Sequence, residues 1–256
     1  MSSADDRNFI RSLERGLAVL QVFSREHPSL TLSETAVRAG VTRATARRIL
    51  LTLERLGFVR SDDRRFSLTP RVLRLGYAYL SSLGLWQLAE PYMEQLADLT
   101  HESCSAATLD GTSLVYVARV PARRVMAISL SVGSRLPAYP TSMGRVLLAD
   151  LAPAELDDYF RLATLEQLTP GTVTDEARLR QVLDRVRQQG FALVDQELED
   201  GVRSIAAPVR GRGGRALAAL NVSGHAGRVT VEQLREEFLP HLLRAAKLIG
   251  DEAARR

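Results

Sequence analysis

The chain has 256 residues, 45% of them hydrophobic and 25% charged, a balance that excludes disorder and collagen-like repetition and fits one large or two modest domains. Its longest uncharged stretch, Leu75 to Ala89, is shorter than the roughly 20 apolar residues of a membrane-spanning helix. The polar, acidic start Met-Ser-Ser-Ala-Asp-Asp-Arg lacks the basic and apolar regions of a secretory signal. A cytoplasmic protein with no membrane partner is expected, and a single cysteine, Cys104, agrees with a reducing compartment. Charge is unevenly spread: up to Leu80, 14 Arg stand against 8 acidic residues (+6), and beyond it 20 basic against 22 acidic residues (−2). That asymmetry suggests an anion-binding head, most often for nucleic acid, on a nearly neutral body, with a solvated basic face as the alternative.

Leu13, Leu17, Leu20 and Phe23 recur at helical spacing and predict a first helix, which His27-Pro28-Ser29 breaks. Thr31-Leu-Ser-Glu34 has the spacing of a capping box, so a second helix should start at Leu32. It should exit through Gly40, with Val41 turned back into the core. Thr42 then caps a third helix from Arg43 to about Leu56. Ala46, Ile49, Leu50, Leu53 and Leu56 share its packed face, while Arg43, Thr45, Arg48, Thr52 and Arg55 fall mostly on the presented one. Phe58-Val59-Arg60 and Arg65-Phe66-Ser67-Leu68 read as short strands joined by Ser61-Asp62-Asp63-Arg64. Together these predict a winged helix-turn-helix over residues 8–69.

From Pro70 the pattern Val72, Leu73, Gly76, Tyr77, Tyr79, Leu80 predicts a connector helix over 70–84, with proline suited to its first turn. Its apolar stripe either meets a second subunit or packs on its own domain. The body, 85–256, alternates elements. A helix near Leu85–Thr100 precedes strand-like runs at Cys104–Leu109, Leu114–Val120 and Val125–Leu130, the first two joined by Asp110-Gly111-Thr112. A loop rich in Gly, Pro and Ser follows to Pro140, then helices from Ser142, from Pro153 and over Thr174–Gln189. Strands at Phe191–Val194, Val202–Val209 and Ala216–Ser223 and a closing helix at Val229–Ile249 complete an α+β body, one antiparallel sheet flanked by helices.

A helix-turn-helix reads base edges in the major groove with donors near the N-terminus of its recognition helix, while other parts touch phosphates. Thr42, Arg43, Thr45 and Arg48 stand at that end, and Ala44 is small enough to permit close approach. Arg47, Arg60, Arg64 and Arg65 suit phosphate contacts, which orient a protein without specifying sequence. Double-stranded operator DNA is the expected partner.

Two runs, Ser12-Leu-Glu-Arg-Gly-Leu-Ala-Val-Leu and Thr42-Arg-Ala-Thr-Ala-Arg-Arg-Ile-Leu-Leu-Thr-Leu-Glu-Arg-Leu-Gly-Phe-Val59, resemble the DNA-binding domain of IclR-type bacterial transcriptional regulators. The resemblance extends over essentially the whole chain. Gly133-Ser-Arg-Leu-Pro-Ala-Tyr-Pro-Thr-Ser-Met-Gly-Arg-Val-Leu-Leu-Ala149 looks like the branch that controls the β-ketoadipate pathway for protocatechuate and 4-hydroxybenzoate. What the resemblance implies is a GAF-like α/β effector-binding domain that takes a small organic or aromatic acid beside its sheet, and a homodimer or dimer of dimers on DNA, with RNA polymerase as a further candidate partner. It places one pocket wall on Tyr139, Thr141, Ser142, Met143 and Gly144. The other falls on Asp195 and on Val202, Arg203, Ser204 and Ile205, with Asn221 on the next strand. Ser142 and the amides of Met143 and Gly144 would lie at a helix N-terminus, which favours a carboxylate. Arg135, Arg145 or Arg203 are candidates for a further charged hydrogen bond.

Other features carry less. His27, His101, His225 and His241 lack metal-ligand spacing, so neither a metal nor another cofactor is expected. Gly211-Arg-Gly-Gly214 links two predicted strands and reads as a hairpin turn, not as a phosphate loop opening a helix. Cys104 reads as a small buried hydrophobe, Asn221-Val-Ser lacks a secretory context, and Asp195, Glu197, Glu199 and Asp200 read as solvated loop carboxylates. The expectation is a ligand-responsive, sequence-specific regulator of aromatic-acid catabolism and not an enzyme. Its rivals are an IclR-type repressor of another carbon-metabolism operon, an enzyme carrying a DNA-binding head, and a ligand-independent architectural DNA binder.

Overall fold

The computed structural model describes residues 8–24, 26–83, 85–122 and 130–255, and the chain divides into two units between Ser82 and Leu83. The first unit contains α1 (Arg11–Gln21), β1 (Ser29–Thr31), α2 (Leu32–Arg38), α3 (Arg43–Arg55), β2 (Val59–Asp62) and β3 (Arg65–Leu68). Its helices start where side chains can cap them. Thr31 Oγ1 accepts from the Glu34 amide at 3.3 Å while the Glu34 carboxylate accepts from the Thr31 amide at 2.7 Å, and that backbone bond holds the Glu34 carboxyl below its ordinary range. Gly40, at φ +63°, ends α2 in the left-handed conformation that glycine tolerates best, and the Gly40 and Val41 amides close on the carbonyls of Val37 and Ala36. Val19, Phe23, Leu30, Leu50, Leu53 and Val59 form the core.

Three details depart from expectation. Leu13 and Leu17 lie on the exposed side of α1, and Val19 takes the buried place. Leucines stand on both sides of this helix, so periodicity alone did not choose the inward stripe, and Phe23 reaches the core from beyond the helix end. Leu56, at the C-cap of α3, is exposed as well. β1 was not anticipated, because three residues are too short to display alternation; it pairs with β3 in a sheet of order β1-β3-β2.

A 3-10 turn, Pro70–Val72, leads into α4 (Leu73–Leu83). Leu73, Leu75, Tyr77 and Tyr79 are all exposed on the single chain.

The second unit holds α5 (Leu85–Thr100), β4 (Ser103–Asp110), β5 (Ser113–Val120), β6 (Arg135–Pro137), α6 (Ser142–Ala149), α7 (Pro153–Leu162), α8 (Glu176–Gln189), β7 (Ala192–Asp195), β8 (Val202–Arg210), β9 (Ala216–His225), α9 (Val231–Gln233) and α10 (Leu239–Arg255). Among the described residues six strands form one antiparallel sheet in the order β6-β5-β4-β9-β8-β7. α5 and α10 pack against each other and on the sheet, while α6, backed by α8, also lies on it. The expected strand over Val125–Leu130 lies outside the described residues except for Leu130, and β6 falls in the stretch expected to be loop. α8 starts at Glu176, not Thr174, because Asp175 is the residue that caps it, accepting from the Arg178 amide at 2.7 Å. The closing helix contains a π-helical turn, Leu234–Phe238, immediately before Pro240. Proline lacks the amide and the room that α-helical geometry demands there, and the wider turn relieves both. No described helix is long and apolar enough to cross a membrane.

Every residue of α6 is buried, which requires small partners beneath it: Ala107, Ala192, Ala206 and Ala219 of the sheet share its core. At Gly144 the approach is closest, since a β-carbon there would stand 2.0 Å from the Ala138 carbonyl oxygen. Gly144→Ala should therefore destabilise the second unit by about 1–3 kcal/mol or more, an overpacking effect against backbone that cannot swing aside. Urea unfolding followed by circular dichroism checks this; an unchanged midpoint would contradict the close approach.

Candidate functional site

The presented face of the first unit is built from α3 and the hairpin after it. Thr42 Oγ1 accepts from the Thr45 amide at 3.2 Å and donates to Thr45 Oγ1 at 2.9 Å, which fixes the N-terminal end of the helix. Arg43, Ala44, Arg47 and Arg48 are exposed there, while Ala46, Leu50 and Leu53 face inward. Arg48, Thr45 and Thr52 also line a cleft with Ser12 and Arg15 of α1, a second contributor of donors that the apolar spacing of the first helix does not reveal.

The hairpin turn has two residues instead of the four expected. Asp63 and Arg64 both take left-handed conformations, φ +46° and +70°, the pattern of a type I′ turn whose twist matches the flanking strands. Arg64 is thereby exposed at the tip. The wing is tied to the recognition helix through Glu54, whose carboxylate accepts from the Ser61 amide at 3.2 Å and from the Ser61 hydroxyl. Arg60 reaches across the hairpin to Ser67 Oγ at 3.1 Å. Arg65, expected at phosphates, instead braces the base of the wing: it donates to Ser29 Oγ at 3.0 Å and to the Ser29 carbonyl at 2.8 Å, and stands 3.7 Å from the Glu34 carboxylate.

A second candidate site lies in the body, between the sheet and the N-terminus of α6. Thr141, Ser142, Met143, Val202, Ser204 and Asn221 come together there as expected. Pro140, inside the expected loop, lines it too, joined by Tyr116, Arg119, Leu130, Val194, Leu198, Glu199 and Ser223, which the sequence does not single out. The enclosed space is about 50 Å³, room for a water molecule or two. Ser142 and Ser204 join their hydroxyls at 2.7 Å across the cavity. Thr141 is the N-cap of α6: its hydroxyl accepts from the Gly144 amide at 3.0 Å and donates to the Ala138 carbonyl at 2.9 Å. The Gly144 amide is consequently occupied, contrary to expectation.

Five expected wall residues fall elsewhere, each for a physical reason. Val202 and Ser204 face the cavity, and side-chain alternation along β8 turns Arg203 and Ile205 to the other face of the sheet. Arg203 pairs with Asp195 at 2.8 and 3.0 Å and donates to the Val229 carbonyl at 2.7 Å, which accounts for Asp195 too. Tyr139 is buried on the far side of the loop, its hydroxyl donating to the Glu166 carbonyl at 2.6 Å and accepting from the Glu166 amide at 3.0 Å. Gly144 serves close packing.

None of the three candidate arginines lines the cavity. Arg135 pairs with Asp110, Arg203 with Asp195, and Arg145 is buried against Glu197 with both ends of its fork at 2.6 Å. Glu197 is accordingly no solvated loop carboxylate. The basic group at the cavity is Arg119, which donates to Ser105 Oγ at 3.2 Å and Ser103 Oγ at 3.4 Å. Alternation would put Arg119 and Tyr116, three positions apart, on opposite faces. An irregularity between β4 and β5 corrects this: Ala106 pairs with Ala118 and Ala107 with Tyr116, leaving Val117 as the extra residue, so both side chains reach one cavity.

Burial lowers the Arg119 pKa, yet arginine remains a cation, and burial pushes the Tyr116 hydroxyl up to about 12. Cys104 is buried with its thiol pushed upward by desolvation, the setting of an inert cysteine. Among the described residues no three His, Cys, Asp or Glu side chains gather as metal ligands would.

Comparison with known proteins gives concordant matches. Residues 12–63 match the IclR helix-turn-helix domain and residues 77–250 the bacterial transcriptional regulator IclR C-terminal domain. The Pca regulon regulatory protein of Pseudomonas putida is 47% identical over 94% of this chain and 84% of its own length. The p-hydroxybenzoate hydroxylase transcriptional activator of Acinetobacter baylyi is 37% identical over 93% of this chain and 90% of its own. A crystal structure of an IclR homologue from Microbacterium hydrocarbonoxydans complexed with 4-hydroxybenzoate superposes with a TM-score of 0.84, at 26% identity, over 96% of this chain and all of that one. On the strength of both domain matches and these relatives, the chain belongs to the IclR family of bacterial transcriptional regulators.

Proposed function

We propose that this regulator answers to a small aromatic acid and controls genes for aromatic-acid catabolism. The observation that carries the reading is an exposed, arginine-rich recognition helix in the same chain as a buried cavity whose floor holds a cation. The similarity to regulators named for the Pca regulon and for p-hydroxybenzoate hydroxylase, and to a homologue crystallised with 4-hydroxybenzoate, points to the chemical class. Arg43, Thr45 and Arg48 read base edges beside the small Ala44; Arg47, Arg60 and Arg64 meet phosphates, and Arg65 holds the wing that presents them. In the body, Ser142, Ser204 and Asn221 contact the effector. An aromatic ring is larger than the roughly 50 Å³ available between these walls, so a state with wider walls would bind it better, and a ligand shifts a conformational equilibrium through such a difference in affinity.

Leu73 and Tyr77, one turn apart and both exposed on α4, belong to the face through which two copies associate, so that paired heads meet the two halves of an operator. Leu73→Glu with Tyr77→Glu should shift sedimentation toward a lighter species. Unchanged sedimentation would move the interface elsewhere.

The test of the function is fluorescence anisotropy at fixed salt on DNA upstream of the chain's own gene, with protocatechuate, 4-hydroxybenzoate and β-ketoadipate added in turn. Specific binding altered by one acid is expected; specific binding indifferent to every acid would retain the DNA head and overturn the ligand class. Arg48→Ala should lose about 1–3 kcal/mol at one base pair, whereas Arg64→Ala should weaken operator and random DNA alike and reduce the salt slope by about one phosphate contact. Ser142→Ala, which leaves the Ser204 hydroxyl without its partner, should raise the effector concentration needed for half response. An identical titration would remove Ser142 from the site.

A further inference from the structure

The first unit carries a joint that reading DNA does not itself require. Gly57 and Phe58 form the exit of the recognition helix: their amides donate to the carbonyls of Glu54 and Leu53 at 2.9 and 2.8 Å, and Gly57 stands at φ +78°. Thr69, at the end of the wing, closes on the same two residues. Its amide donates to the Phe58 carbonyl at 2.9 Å and its hydroxyl to the Gly57 carbonyl at 2.5 Å. That hydroxyl also accepts from the Arg71 amide at 3.3 Å and so starts the 3-10 turn that leads into α4. Arg71 then folds back over the exit. Its guanidinium lies 5.5 Å from the centre of the Phe58 ring, and a β-carbon on Gly57 would stand 3.0 Å from its Nη1 and 3.5 Å from its Cδ. Stacking of a planar guanidinium on a ring is a contact that lysine does not reproduce. Residues 73–79 of α4 are exposed on every side, so the joint, not lateral packing, sets the direction in which α4 leaves the head.

We propose that Thr69 and Arg71 are positioning residues for operator recognition: by locking α4 to the exit of α3 they fix how far apart, and at what angle, two recognition helices stand when two copies join through α4. The inference rests on the paired-head reading above and deepens it by naming what sets the half-site spacing. DNA makes the constraint severe, because one added base pair moves a half-site by about 3.4 Å along the axis and about 35° around it. A stiff joint cannot follow that displacement, whereas a loose one lets each head find its half-site separately. Neither side chain has to touch a base for the pair to discriminate.

The test uses the full chain and the paired half-sites it selects from a random double-stranded DNA pool, remade with one base pair removed, one added and two added between them. Fluorescence anisotropy at fixed salt reads the affinities, and sedimentation and thermal melts accompany each variant. The natural chain should lose at least about tenfold on the first added base pair, since a head out of register exchanges specific for non-specific contacts. Arg71→Met with Thr69→Val should bring all four spacings to within about threefold of one another and leave affinity for an isolated half-site within about twofold. Arg71→Lys, which keeps the charge and loses the stack, should flatten the profile partway and hold the salt slope; it carries the comparison alone should the double variant melt below the assay temperature. A phosphate role would do the reverse. Methionine would then lower the salt slope by about one contact while the spacing profile held, and that outcome overturns the proposal. A natural chain that binds every spacing equally would overturn it too, as would variants that sediment as a lighter species, which would assign the two residues to association. Selection of single, unpaired half-sites would overturn the paired-head reading as well.

Discussion

A single buried guanidinium organises the body. Arg145, on α6, donates through Nε to the Tyr139 carbonyl at 2.9 Å and through the other two nitrogens to Glu197, so it grips the loop before its own helix and the loop after β7 at once. Glu197 also accepts from the Val173 amide at 3.1 Å, and its carbonyl receives the Thr172 hydroxyl at 2.6 Å. A charge taken out of water is tolerable only when so fully met, and removing one member of such a pair typically costs about 3–5 kcal/mol. The two walls of the cavity, Pro140–Met143 and Leu198–Glu199, are continuations of the segments this fork holds. Their spacing is therefore set by a residue that does not itself line the cavity.

The sheet beneath divides its inner face by chemistry. Where α6 rests, the strands carry alanine, and a helix of wholly buried residues lies close upon them. Toward the cavity the same face carries Ser105, Arg119, Asn221, Ser204 and Ser223 in adjoining strand positions. A polar cluster on the inward face of a buried sheet weakens the core unless a ligand or an internal network uses it. Ser142 with Ser204, and Arg119 with Ser103 and Ser105, are internal uses; the side-chain oxygen Oδ1 of Asn221 has none among the described residues.

Much of this was legible in residue order, and the misses have local causes. The capping box at Thr31, the glycine exit at Gly40 and the cap at Thr42 are short-range chemistry and appear where they were expected. Long strands announced themselves by composition, while β1 and β6, three residues each, did not. Six of the expected wall residues, from α6, its N-cap, β8 and β9, do line one cavity; Arg203, Ile205 and Asp195 do not because a contiguous run of strand residues cannot share one face, while Tyr139 and Gly144 are taken up by the Glu166 backbone and by close packing on Ala138. Arg119 escaped notice for the complementary reason: Val117, an extra residue in β5, reverses the alternation that sequence periodicity assumes. The fates of Glu197 and Arg65 depended on partners 52 and 36 positions away, and no local pattern reports such distances.

The wing tip sets conformation against composition. Asp63 and Arg64 hold left-handed backbone angles that are unfavourable by about 1–2 kcal/mol per residue for side chains with a β-carbon, and Asn-Gly is the pair such a turn favours. A population of variants selected for heat resistance alone would drift toward glycine at the tip, shedding the one guanidinium the turn displays. Selection for grip on DNA would push the other way and keep the strain. With Arg64 on phosphate as proposed, the natural pair would be the mark of the second pressure.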